Sequence, residues 1–305
     1  MKDFYSSKNI EHISKYIKNL VKIIDEFGTE HSLKSRAGEF TPSPIQKVSN
    51  DFLHRLILKL KAIDNLLPLY SEDHYQIHSI GLLLRTILSD FLTFLYLASF
   101  NEPEAEEQRS LANELVMLER DFYESMIEAS KVETDFAAMN GKDDAEVEKE
   151  YDERIKRINE IYKHLFLDED TTKRIKKAEE IRATSNRALF INSNELKRPN
   201  RMVSEKYKYD HLNDVGFNKY KIVFSMFKFF SQFQHYSKHS INMLRDEFRR
   251  FSFYYFILTL DLTNILVDFH FNLYEGAKDQ LEKLRELKNE LATIFLSSTG
   301  GPLCR

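Results

Sequence analysis

The stretch GLLLRTILSDFLTFLYL, Gly81 to Leu97, sets one arginine and one aspartate in a run that is otherwise almost wholly apolar. It shows no strand-like alternation, and its apolar residues fall on every side of a helix. That pattern predicts a central core helix, from about His74 to Phe100, rather than a surface one. Advancing 100° per residue from Arg85 brings His78, Ser89, Leu92 and Tyr96 within about 20–40° of it, a polar seam along the rod. Asp90 lies about 140° away, among Leu83, Ile87, Phe94 and Leu97. The two charges therefore cannot pair within the helix. Each needs a partner on another one, because an unpaired buried charge costs several kcal/mol.

A second apolar helix over 241–275 carries Asp261, Asn264, Asp268 and Asn272 on one stripe. Arg85 is expected to meet one of those carboxylates, or the face bearing Ser231 and His235. Two roles stay open: an ion pair that fixes helix register, or a site that does chemistry.

The remaining pattern is helical throughout. An amphipathic helix over 10–27 ends at Gly28, and a second runs from Ile45 to Leu67. From 104 to 164 the chain is dense in charge with a narrow apolar seam. Leu111, Leu115, Leu118, Phe122 and Met126 form one row, and Val147, Tyr151, Ile155, Ile158 and Tyr162 another, separated by a stop at Asn140-Gly141. This reads as a long antiparallel, coiled-coil-like hairpin. A short helix over 171–189, a polar loop over 192–214, a Phe-rich helix over 219–237 and an amphipathic helix over 281–295 complete the chain. The fold class is all-α. Residues 1–100 and 205–296 form a bundle core, 103–190 an inserted hairpin and short helix, and 297–305 a flexible tail.

Composition agrees. The 305 residues include only 8 glycines and 6 prolines, with 24 phenylalanines and no tryptophan. The net charge of -4 argues against a dedicated duplex-binding protein, which shows a basic face. Clusters such as Lys197, Arg198 and Arg201, or Arg245, Arg249 and Arg250, read as solvated surface. Cys304 is the single cysteine, so neither an intrachain disulfide nor a cysteine metal site can form. The N-terminus lacks an apolar signal core, and charges interrupt every apolar span before 18 residues. The expected location is cytoplasmic, with no membrane partner.

The stretch FFSQFQHYSKHS, Phe229 to Ser240, spaces Ser231, His235 and His239 by fours. In an unbroken helix they share the wet face. A His-x3-His pair has metal-ligand spacing, but Asp246 lies about three turns from His235 and no glutamate follows the first histidine. No metal or cofactor is expected. Acid/base chemistry is the remaining alternative, and it needs the helix to break near Ser237.

Residues 81–97 and 220–237 together resemble a bacterial all-helical family of unknown function. One of its helices carries Leu-Leu-Arg followed five residues on by an acid, and a later helix carries a serine four residues before a histidine. Arg85, Asp90, Ser231 and His235 match those positions, with Asp where the family more often has Glu. That family is in turn similar, at a distance, to HEPN bundles, many of which are metal-independent ribonucleases of toxin or antiviral systems. The resemblance implies His235 acting on a ribose 2′-hydroxyl and Arg85 holding phosphate, with Lys228 and His239 as substrate-binding candidates. It also implies a homodimer, since related bundles often bury their polar face against a second copy. The usual Arg-then-His motif is absent here: Lys228 stands at its first position. Its one literal match, Arg157 to His164, falls in the charged hairpin, where chance spacing accounts for it.

Two expectations result. One is an RNA- or nucleotide-directed, defence-related protein with His235 as acid/base. The other is a non-enzymatic scaffold that docks a protein partner through residues 104–166.

Overall fold

The computed structural model describes residues 6–71, 76–101, 111–167, 204–216, 221–232 and 246–299. Its elements are α1 (Ser7–Arg36), α2 (Pro44–Leu66), a 3-10 turn (Pro68–Ser71), α3 (Gln76–Ala98), α4 (Leu111–Met139), α5 (Asp144–Ile161) and the short α6 (His164–Leu167). Then follow α7 (Glu205–Asp214), α8 (Lys221–Ser231), α9 (Asp246–Asn272) and α10 (Lys278–Thr299). The protein is all-α, and the described residues contain no strand. The chain divides into two compact units, residues 1–95 with 212–305, and residues 96–211.

In the first unit α1 packs against α2 and α10, and α9 packs against the same two helices. Ile13, Leu20 and Phe27 from α1 meet a core that includes Leu60 and Ile63 of α2 and Phe253, Phe256 and Phe271 of α9. Each such side chain contributes about 1.5–3 kcal/mol through burial. The polar ends are tied as well. Ser43 and Gln46 form a capping box at the start of α2, with Pro44 in the first turn. The Gln46 amide also donates to the Leu273 carbonyl (2.6 Å), anchoring the turn after α9.

Helix α1 does not stop at Gly28. It continues eight residues further, to Arg36, where Gly38 takes the left-handed backbone (φ 75°) that closes it. A helix-interior glycine costs only about 1 kcal/mol relative to alanine. Burial of Phe27, just before it, and the Glu30–Lys34 pair (2.6 Å), just after, outweigh that cost.

Helix α3 is the one described helix long and apolar enough to cross a membrane, yet 67% of its apolar window is buried inside the protein. Phe94 sits edge-on between Phe52 of α2 and Phe269 of α9. The expected core role of this helix is what the structure has.

In the second unit α4 and α5 run antiparallel. Tyr123 donates to Asn159 (2.9 Å), Glu119 meets His164 (2.7 Å) and Glu133 pairs with Arg154, so numbers rise on one helix as they fall on the other. Gly141 turns the chain with φ 81°, and the Asp143 carboxylate caps α5. The contact face of α4 differs from the row picked out by sequence. Val116 and Tyr123 pack on Leu165, while Phe122 and Met126 are exposed.

Residues 205–214, read from sequence as polar loop, are helical. His211 explains why. Its ring packs on Tyr96 and Phe100 (centroids 5.1 and 4.8 Å), and its Nε2 lies 2.8 Å from the Ser99 hydroxyl. Tertiary burial overrides the weak local propensity of this Lys- and Tyr-rich segment.

Candidate functional site at the helix α3 and α8 contact

Arg85 and Ser231 meet. Both lie in the first unit, Arg85 midway along α3 and Ser231 at the last residue of α8. The Ser231 hydroxyl donates to the Phe227 carbonyl one turn back (2.7 Å), which leaves its oxygen lone pairs facing outward. Arg85 Nε donates to that oxygen at 3.0 Å. The guanidinium also stacks over the Phe227 ring, 4.8 Å from its centroid. The arginine is thus held by a hydroxyl and an aromatic face, and no carboxylate among the described residues pairs with it. A planar guanidinium fixed this way still has its Nη groups, whose parallel N–H donors match two oxygens of an oxyanion such as phosphate.

Asp90 belongs to a different environment. Its side chain faces α2, where it pairs with Arg55 (2.8 Å) and with Lys59. Lys59 also donates to the Thr86 carbonyl (3.2 Å), and burial pulls its pKa below the usual lysine range against the opposing pull of Asp90. Only 8% of Asp90 is exposed, and both oxygens are engaged. Its chemistry is that of a closed ion network between α2 and α3.

The stripe on α9 does not serve Arg85. Asp261 faces Lys288 of α10 (3.9 Å), Asp268 accepts from the Asn272 amide (3.2 Å), and only Asn264 is buried. The Asn264 carbonyl oxygen accepts the Tyr16 hydroxyl at 2.6 Å, and burial drives that phenol far above its ordinary pKa. A long apolar helix hides only part of a polar stripe, because α10 covers one flank and solvent the other.

Lys228 is exposed and lies over the Phe224 ring (4.8 Å to the centroid). His235 and His239 lie outside the described residues, as do the side chains of Arg245, Arg249 and Arg250. In the second unit His164 is engaged with Glu119, and Arg157 faces Glu153 at 3.8 Å, so that literal Arg-to-His spacing forms no joint site. Among the described residues no group of three or more His, Cys, Asp or Glu is arranged to hold a metal ion.

One polar pair that gives no sequence motif has the spacing of a catalytic dyad. Ser49 Oγ of α2 and His270 Nδ1 of α9 lie 2.8 Å apart, the separation of a nucleophile and its base. Both are sealed in the core beside Phe27 and Tyr274, and burial pushes the His270 pKa down to about 3. No substrate reaches a pair closed on all sides, so it cross-links α2 and α9. The signal was present: Ser49 follows Ile45 and precedes Phe52 on the buried stripe of α2, at spacings of four and three.

A separate open cleft of about 630 Å³ runs between α1 and α2, with Gly28, Ser32, Arg36, Asp51 and His54 among its lining residues.

Comparison of the chain with family models, with curated proteins and with solved structures finds no match to any of them.

Proposed function

We propose that the protein is a cytoplasmic, HEPN-like, RNA- or nucleotide-directed factor of bacterial defence whose phosphate-holding group is Arg85. The observation that supports this is its mode of fixation. Nε is committed to Ser231, the cationic face rests on Phe227, and no described carboxylate neutralises it. A structural arginine in an apolar helix is normally paired, as Asp90 is on the same rod. An arginine that binds an anion keeps its fork open instead.

In the catalytic version, His235 removes the proton of a ribose 2′-hydroxyl. That oxygen attacks the adjacent phosphorus, the 5′-oxygen leaves and takes up a proton, and Arg85 stabilises the charge that develops on phosphate. Asp90 has no part in it, being occupied by Arg55 and Lys59.

The test is binding and cleavage of a labelled single-stranded RNA, with and without chelator, by wild type, Arg85→Met and His235→Ala. The expected result is chelator-insensitive cleavage lost in His235→Ala, with RNA affinity lowered in Arg85→Met by about tenfold or more. RNA binding without cleavage by any form leaves a binding factor rather than a nuclease. No RNA or nucleotide binding by wild type refutes the reading.

A second, compatible reading is a scaffold that docks a protein through α4 and α5. It is favoured by the apolar side chains that α4 exposes.

A further inference from the structure

The apolar row that is most regular in the sequence of α4 is not the row that packs on α5. It begins buried at Leu111 and emerges into solvent at Phe122, which is 49% exposed. Beyond Met126 it continues through Val132 (67%), Phe136 (68%) and Met139 (85%). These residues lie within about 140° of one another around the helix, on the side away from Tyr123 and Asn159, over a length of about 26 Å. A row of this size is long enough to seat about five turns of a second helix.

The surroundings define the chemistry of what would lie there. Residues 111–161 carry fifteen carboxylates and seven basic side chains, a net -8, while the whole chain carries -4. Glu128 and Asp135 border the row on one flank, both exposed, and neither is in a salt bridge among the described residues. Lys131 is the only base in the second half of α4.

Deepening the docking reading, and resting on it, we propose that the outer face of α4 binds a basic amphipathic helix of a partner protein. Leu, Ile or Phe residues of that helix cover Phe122, Met126, Val132, Phe136 and Met139. Its lysines or arginines face Glu128 and Asp135. Apolar contact along the row gives affinity, and charge gives orientation and speed of encounter.

The full chain is titrated, by fluorescence anisotropy, into a labelled peptide of about 18 residues with Leu on one helical face and Lys on the other. One control peptide has the same composition scrambled so that no face is apolar. Another keeps the apolar face with Glu for Lys. Two protein variants are compared with wild type: Val132→Ser, Phe136→Ser and Met139→Ser together, and Glu128→Lys with Asp135→Lys. All five positions are exposed, so circular dichroism is expected to be unchanged. The inference predicts binding of the amphipathic basic peptide, at least about tenfold weaker binding of the scrambled one, and a similar loss in the triple variant. The charge variant loses affinity mainly at low salt. Equal binding of the scrambled peptide overturns the inference, since charge alone then suffices. Preference for the acidic peptide, lost in the triple variant, overturns the partner chemistry but leaves docking standing. A wild-type dimer dissociated by the triple variant assigns the face to a second copy and also overturns it. No binding of any peptide, with a monomeric wild type, removes the docking reading too.

Discussion

Arg85 and Asp90 are five residues apart on the same apolar helix, and the protein treats them in opposite ways. Asp90 is closed in by two cations from α2, and one of those cations is further tied to a backbone carbonyl. Arg85 rests on a hydroxyl and a ring, with no described carboxylate beside it. The contrast teaches that intramolecular pairing, more than burial, separates a charge that holds helices together from one that remains able to hold something else. Both charges cost solvation, but only one recovers it fully within the bundle.

The largest effect is expected where pairing is complete. Asp90→Ala leaves Lys59 and Arg55 facing each other without their carboxylate, and should cost about 3–5 kcal/mol in urea unfolding. A loss below about 1 kcal/mol would erase the contrast, since Asp90 would then be no better integrated than a surface ion pair.

A sealed polar contact without charge sharpens it. His270 stays neutral in the fold because its pKa falls to about 3, whereas the unfolded chain takes up its proton near pH 6.5. Between those values the unfolded state binds more protons, so stability falls as the pH falls, by about 3 kcal/mol at pH 4. Replacing His270 with Gln should remove that component and flatten the acid limb of a pH–stability curve relative to wild type. An unchanged limb would mean that His270 is protonated in the folded protein.

The smallest effect belongs to the open end. Ser231→Ala removes the acceptor for Arg85 Nε and is expected to cost about 1 kcal/mol of stability, because the guanidinium can turn to solvent. RNA affinity should fall more than stability does, read by anisotropy beside unfolding. A stability loss as large as that of Asp90→Ala would place Arg85 in the structural class.

Much of this was legible in the sequence, for reasons that particular residues make plain. Fourteen apolar residues around Arg85 and Asp90 left no wholly polar face, so α3 had to be central. The 140° between the two charges required separate partners, and Ser231 is one of the positions that the spacing singled out. The partners of Asp90 were hidden because Arg55 and Lys59 look like ordinary surface residues of α2. Only tertiary packing brings the exposed Arg55 and the part-buried Lys59 onto Asp90. His211 and His270 escaped for the same reason, since a lone histidine gives no period. Gly28 misled because a glycine is a strong stop only when the following residue lacks other support. The row on α4 misled in a more useful way. Its regularity was real, but it marks a face that the described residues leave exposed.

The central proposal is that Arg85 is held for an anion rather than for the fold. The direct measurement is Arg85→Met, followed in parallel by urea unfolding and by anisotropy with single-stranded RNA. The expected result is an unfolding free energy within about 1 kcal/mol of wild type, because methionine fills the same apolar surroundings, and RNA affinity lowered by about tenfold or more. A loss of several kcal/mol in stability with RNA binding unchanged would contradict it.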